Sequence, residues 1–246
     1  MNQALLSNTF LPCEDAVFRN CVSCGMRELC LPAGLDEEDT KYLDSIISRR
    51  KVSRDKHLYR TGDSFNSLYA IRVGHFKTYQ ISSDGGTQIN GFQMIGDLLG
   101  MDAINSSAYQ CNAVALEDSE VCEIPFSKLE MLFSRMPSLL RHFHHIMSEE
   151  IVSQQNIILV LGNMSVEQRF AAFLVNLSVR YAARGYSATC FQLRMMRSDI
   201  GNYLGLTSES VSRVISKLRQ NGVIEVRHRE VQILDPLALS RLAAGM

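Results

Sequence analysis

The 246-residue chain reads as an α+β protein with an N-terminal β-roll, a long central helix and a C-terminal winged helix-turn-helix. Three observations predict this. Residues 52–126 break into short β-rich runs separated by turn signals such as Gly62-Asp63, Asp84-Gly85-Gly86 and Gly96-Asp97. Residues 137–163 carry apolar side chains at alternating four- and three-residue steps, and residues 197–234 run helix, tight turn, helix, hairpin. The length suits about two cores, because a single core seldom grows past roughly 250 residues. A hydrophobic content of 46% excludes a fibrous or disordered chain. No apolar run approaches the roughly 18 to 20 residues of a spanning helix. Residues 1–21 lack the basic flank and cleavage site of a secretory signal, so the expected location is the cytoplasm, with no membrane partner.

Taken in order, residues 1–34 form a cysteine-bearing arm with little periodicity that closes at Pro32 and Gly34. Seven cysteines is an odd number. In a cytoplasmic chain their clustering points to metal ligation or redox chemistry before structural bridging, and Cys21, Cys24 and Cys30 do cluster. Residues 35–136 form the roll. Asp36-Glu37-Glu38 opens a helix, with acidic side chains where the macrodipole favours them and Leu43, Ile46 and Ile47 at helical spacing; its predicted end is near Arg49-Arg50-Lys51. Residues 67–73 and 119–124 supply strands.

Residues 137–163 form the long helix, begun by Pro137 in its first turn. Leu140, His144, Met147, Ile151, Gln154, Ile158 and Leu161 make a seam with two polar interruptions, the pattern of a parallel coiled coil in a homodimer. One long helix packed on its own sheet gives a similar pattern, and both readings stay open here. Residues 164–246 begin with a further amphipathic helix carrying Phe170, Phe173, Leu174 and Leu177, which stops before Gly185.

The formal net charge of −1 conceals an asymmetry. Residues 165–246 hold 11 Lys/Arg against 6 Asp/Glu, whereas the remainder is acidic. A basic third on an acidic body points to a polyanion partner for that third. Within it, residues 197–218 (RSDIGNYLGLTSESVSRVISKL) place Gly205 at the turn and Thr207 at the N-cap of the second helix. Val211, Val214, Ile215 and Leu218 form its buried stripe, and Glu209, Ser212, Arg213 and Ser216 the opposite one. Arg213 suits guanine O6 and N7, Glu209 suits cytosine N4, and Ser212 is permissive. Arg197 and Ser208 complete the candidate DNA contacts. Residues 223–226 and 231–234 flank a polar tip and form the wing, so double-stranded DNA is the expected partner.

These features resemble the CRP/FNR superfamily of bacterial transcription regulators, and within it the FNR/ANR-type oxygen-sensing branch. The resemblance covers nearly the whole chain. It rests on IGNYLGLT at 200–207 with Glu209, Ser212 and Arg213, on QINGF at 88–92, on GDL at 96–98 and on VCEIPF at 121–126. It implies a roll of the cyclic-nucleotide-binding type, a central dimerisation helix, and reading of a palindrome with half-sites similar to TTGAT by Glu209, Ser212 and Arg213. It also implies a contact between RNA polymerase and an exposed roll loop, for which residues 81–86 are the candidate.

A cyclic nucleotide needs a cationic partner for its phosphodiester. Residues 96–116 contain no Lys or Arg and carry Asp97 and Asp102, so no cyclic nucleotide is expected. From spacing alone, Cys21-x2-Cys24-x5-Cys30 suits three corners of an iron–sulfur cluster, and structural zinc stays open, although zinc sites usually pair two knuckles. The resemblance implies a [4Fe-4S] cluster held by Cys21, Cys24, Cys30 and Cys122. Cys13 is the substitute fourth ligand to watch, while Cys111 and Cys190 are expected to pack as apolar side chains. His142 and His145 share a helix face without a completing ligand, so a surface or seam role is expected for the His142, His144 and His145 group. The function read from these features is an oxygen-responsive, homodimeric regulator and not an enzyme. Two alternatives are a same-fold regulator with a zinc-stapled arm and an iron–sulfur redox protein. Gln154 departs from the family pattern, in which the matching seam position is acidic.

Overall fold

The computed structural model describes residues 20–245. A single 3-10 turn at Arg27–Leu29 leads to α1 (Glu37–Ser45), whose N-cap Asp36 accepts from the Asp39 amide. The roll is built from β1 (Ser48–Val52), β2 (His57–Tyr59), β3 (Ser67–Val73), β4 (His75–Ile81), β5 (Thr87–Met94), β6 (Leu98–Leu99), β7 (Asn112–Ala115) and β8 (Ser119–Pro125). They form two four-stranded sheets in the orders β1-β8-β3-β6 and β2-β7-β4-β5, with antiparallel pairing throughout. Gly74 turns β3 into β4 at φ +91°, where a Cβ would lie 2.1 Å from the Ser119 hydroxyl, so no larger residue fits.

The predicted end of the first helix is corrected. α1 stops at Ser45, and Arg49, Arg50 and Lys51 lie in β1, opposite Cys122, Val121 and Glu120 of β8. Three cations suit a helix C-terminus, but the free edge of β8 offers this segment a full ladder of backbone partners, and pairing wins. A helix not foreseen, α2 (Phe126–Arg135), follows β8 and buries Leu129 and Leu132.

The long helix α3 spans Pro137–Asn163 without a break, and α4 covers Val166–Ala183 behind a Ser165/Gln168 capping box. Then come β9 (Cys190–Gln192), α5 (Arg197–Leu204), α6 (Ser208–Gln220), β10 (Ile224–Arg227), β11 (Glu230–Ile233) and α7 (Pro236–Ala244). The wing therefore has three strands in the order β10-β11-β9, of which β9, like α7, was not predicted. Among the described residues no helix is long and apolar enough to cross a membrane.

Three apolar cores order these parts. One lies between the two roll sheets. Another joins Leu31 of the arm and Leu35 just after it to Leu43, Leu129, Leu139 and Phe143. The third fills the C-terminal module and takes in Ile89, Phe92, Met94 and Leu116 of the roll. Roll and module thus share a core, and polar contacts fix its edge. Lys77 Nζ lies 2.8 Å from Asp199 Oδ1, and Asn202 accepts from the Ile89 amide at 2.6 Å while donating to the Thr87 carbonyl at 2.6 Å. Asp97 receives Arg180 on one oxygen and Arg184 on the other, each at 2.5 Å. The same two guanidiniums donate to the Phe92 and Ile95 carbonyls.

Asp97→Ala leaves both arginines of this clasp without their carboxylate. The expected loss is about 2–3 kcal/mol, since bonds to charged groups are strong and the site is mostly shielded from water. Urea unfolding reads it, and an unchanged midpoint would show that the clasp does not hold the two parts.

Candidate functional site

In the arm, the Cys24 amide donates to the Cys21 carbonyl, the Arg27 amide to the Cys24 carbonyl, and the Cys30 amide to the Arg27 carbonyl, so nested turns carry the chain from one cysteine to the next. The Cys21 amide also donates to Asp44 Oδ1 at 2.9 Å, which ties the arm to α1. Cys122 arrives from β8, flanked in register by Arg49 of β1 and Ala70 of β3. A cavity of about 300 Å3 is lined by Cys21, Cys24 and Cys122 together with Asp44, Arg49 and Arg72. Cys30 packs beside it, half-buried against the core that Cys122 also touches.

Burial pushes the Cys30 thiol up to about 12 and the Cys122 thiol up to about 11. Cys21 is raised further by burial, with the hydrogen bond and charge of Asp44 adding to it. These thiols are protonated at neutral pH unless a cation displaces the proton. The six described cysteines are free thiols. Among the described residues no three His, Cys, Asp or Glu side chains are gathered tightly enough to hold a single metal ion. Cys111 is buried in the roll as expected, whereas Cys190 departs from the apolar expectation: it is half-buried in β9 and its thiol donates to Glu230 Oε1 at 3.2 Å. Cys13 lies outside the described residues.

The interior of the roll is filled by its own side chains. The rings of Tyr59 and Tyr109 stack at 3.9 Å, Tyr69 lies 5.9 Å from Tyr59, and the Tyr109 hydroxyl donates to the Ser67 carbonyl at 2.7 Å. Asp97 is engaged by Arg180 and Arg184, as described above, and Asp102 accepts from the Gln110 amide.

The predicted recognition surface forms on α6. Gly205 adopts φ +64° at the C-cap of α5, and Thr207 caps α6 by accepting from the Ser210 amide at 3.1 Å. Val211, Val214, Ile215 and Leu218 are buried. Glu209, Ser212, Arg213 and Ser216 share the open face, joined by Lys217 and Gln220. Arg213 and Glu209 pair at 2.5 Å with 78% and 72% of their side chains exposed, an arrangement worth little by itself that leaves both free to meet bases. Arg197 Nη1 donates to Ser212 Oγ at 3.2 Å, which brings it to the same face, and the Ser208 carbonyl accepts from Ser212 Oγ. Lys217, absent from the predicted set, is held by Glu167 at 2.5 Å. Its position one step from Ser216 was visible in the sequence, but the groove edge it occupies was not.

On α3, Ile151 and Ile158 are exposed, as are Val152 and Leu159 one position on. Leu140, Met147 and Leu161 are half-buried, and Leu161 Cδ2 would lie 3.6 Å from a Cβ placed at Gly205. His144 is exposed, and Gln154 donates to Glu150 Oε1 at 2.6 Å within its own helix. His142 departs from the surface-or-seam expectation: it is half-buried, and its Nε2 lies 3.0 Å from the carbonyl oxygen of Cys30. The arm covers that flank of the helix, which its lack of periodicity did not foretell.

A filled roll carrying a docked winged helix, with a recognition helix open on one face, defines a DNA-binding transcription regulator and not an enzyme. Residues 168–242 match the Crp-like helix-turn-helix domain and residues 49–136 the cyclic nucleotide-binding domain. The chain is 47% identical to the anaerobic regulatory protein of Pasteurella multocida, over 91% of this chain and 82% of that one. It is 44% identical to the fumarate and nitrate reduction regulatory protein of Escherichia coli K12 (91% and 90%) and to the transcriptional activator protein Anr of Pseudomonas aeruginosa (92% and 93%). Among solved structures it resembles FixK2 from Bradyrhizobium japonicum, with a TM-score of 0.74 and 27% identity over 80% of this chain and 97% of that one. The chain belongs to the CRP/FNR family, in its FNR/Anr branch.

Proposed function

We propose that this regulator responds to oxygen through a [4Fe-4S] cluster held by Cys21, Cys24, Cys30 and Cys122, and binds palindromic DNA as a homodimer while the cluster is intact. One observation carries the reading: Cys21 and Cys24 of the arm and Cys122 of the roll sheet line a single cavity, and Cys30 packs beside it against the core that Cys122 also touches. Its donors are thiols, the ligands iron–sulfur clusters take. Zinc sites built from cysteines usually pair two C-x2-C knuckles, and the sequence holds one, Cys21-x2-Cys24. A cluster held there would supply the sensitivity to oxygen. The relatives' names, anaerobic regulatory protein and transcriptional activator Anr, agree with that role.

The remaining tasks fall to this chain's own residues. The tyrosine-filled interior and an Asp97 engaged by Arg180 and Arg184 support the reading that no cyclic nucleotide is bound. The exposed Ile151 and Ile158 of α3 supply a dimer seam with Leu140, Met147, Gln154 and Leu161. Two α6 helices related by a two-fold would then enter successive major grooves, with Glu209, Ser212 and Arg213 on base edges and Arg197 and Ser208 beside them. The turn at Ser82–Gly86, closed by the Ser82 amide on the Gly86 carbonyl, presents a loop to RNA polymerase. In this scheme residues 1–34 bind the cluster, 35–136 form the sensor roll, 137–163 dimerise, and 164–246 bind DNA, all in the cytoplasm. Anaerobic purification tests the cluster directly: a brown protein with iron and sulfide that bleaches in air supports it, and a colourless zinc protein refutes it.

Cys24→Ser and Cys122→Ser should each lose most of the iron, because a hydroxyl is a poor ligand for this site. Retention of a full cluster in Cys122→Ser with loss in Cys13→Ser would move the fourth ligand to Cys13. Arg213→Ala should lose about 1–3 kcal/mol of discrimination at one guanine per half-site, relaxing specificity there. Uniform weakening on every sequence would restrict Arg213 to the backbone. Finally, Gln154 brings no like-charge repulsion to the seam. The air-exposed protein should therefore keep its dimer at micromolar concentration better than Gln154→Asp, by about ten-fold or more in dissociation constant. Sedimentation velocity measures both, and a wholly monomeric wild type with no further shift in the variant would count against this position.

A further inference from the structure

The contact between His142 and the arm joins the proposed cluster site to the proposed dimer helix. His142 Nε2 lies 3.0 Å from the Cys30 carbonyl oxygen, which also accepts from the Ala33 amide. A carbonyl only accepts, so the imidazole carries its proton on Nε2. The bond sits at the rim of the core where Leu31 of the arm and the adjoining Leu35 meet Leu139 and Phe143 of α3, residues three before and one after His142. Shielding by this core strengthens the bond and makes the carbonyl costly to leave half-satisfied. On the other side of the same helical turns stand Leu140, His144 and Met147, the first three seam positions. α3 is continuous across them, so a shift of Cys30 felt at position 142 moves residues 140 and 144 with it.

We propose that His142 is a positioning residue that couples the seating of Cys30 to the placement of the dimer seam, through its hydrogen bond to the Cys30 carbonyl. The inference rests on the cluster-and-dimer reading above and adds the link between its two halves. By reciprocity, the factor by which an intact cluster tightens the dimer equals the factor by which dimerisation tightens the cluster. The bond through His142 is part of that factor. His142→Ala removes it, while His142→Gln keeps an N–H donor of comparable reach.

The test measures the dimer dissociation constant by sedimentation of cluster-loaded and air-bleached protein, for wild type, His142→Ala and His142→Gln, with iron and sulfide content and thermal melting recorded for each. The ratio of the two constants is the readout, since a merely structural loss moves both alike. The ratio in His142→Ala is expected to shrink about five-fold, the worth of one hydrogen bond, and in His142→Gln to stay within about two-fold of wild type. A wild-type ratio in a folded His142→Ala, or equal losses in both variants, would overturn the coupling and leave the cluster reading intact. A wild type without iron and sulfide would overturn both.

Discussion

Asp97 stands where three parts of the chain meet. Its carboxylate holds Arg180 and Arg184 of α4, its backbone turn closes the roll between β5 and β6, and Leu29 of the arm packs against the neighbouring Gly96. Arg184 keeps only 8% of its side chain exposed, and Asp97 compensates its buried charge. With Asp97 in place, the arginines also satisfy the Phe92 and Ile95 carbonyls, and Phe92 can stand edge-on to Phe173 and Tyr203. This arrangement holds α4 and α5 against the roll. The helix-turn-helix is not a separate unit on a tether; it shares an apolar core with β4 and β5.

A roll of this type has two places where a signal could act, inside the sheets or outside them. Here the inside is occupied by the stacked Tyr59 and Tyr109 and the packed residues around them, and it resembles a finished core. The outside carries the cavity lined by Cys21, Cys24 and Cys122. Burial raises the Cys21, Cys30 and Cys122 thiols well above their ordinary range, so deprotonating them would require compensating positive charge. The arm, in turn, touches α1 through Asp44, the roll through Gly96 and α3 through His142.

Much of this was legible in the sequence because it obeys local rules. Gly205 needs a positive φ, Thr207 supplies an oxygen to a free amide, and the Val211, Val214, Ile215 and Leu218 stripe has helical period, so the helix-turn-helix could be read residue by residue. The cysteine arm was legible as a spacing, and Cys122 entered only through resemblance, since nothing local marks it as a partner of residues about a hundred positions away. Elements decided by distant pairing were missed or misplaced. Arg49, Arg50 and Lys51 became a strand because β8 had an open edge, β9 found its place only against β11, and His142 met the arm through a contact spanning 112 residues. The Asp97 clasp spans more than 80 residues and has no periodic signature, although an Asp in a turn without nearby cations was visible.

The central helix shows why a small bias can matter. Its exposed apolar residues, Ile151, Val152, Ile158 and Leu159, favour association, while His144 and Gln154 interrupt the row with groups that need hydrogen-bond partners. Gln154 already has one in Glu150 of its own helix. Closing a seam across a two-fold would require that amide either to keep its bond at the rim or to exchange it for its mate, with little net gain either way. In the proposed dimer the polar interruptions would keep the seam weaker than an unbroken apolar row and would fix its register. An interaction worth only a few kcal/mol elsewhere in the chain would then be enough to decide between populations. The arm lies against the N-terminal turns of α3, and α4 and α5 lie against its C-terminal half, so one continuous helix joins the cysteine arm to the helix-turn-helix module.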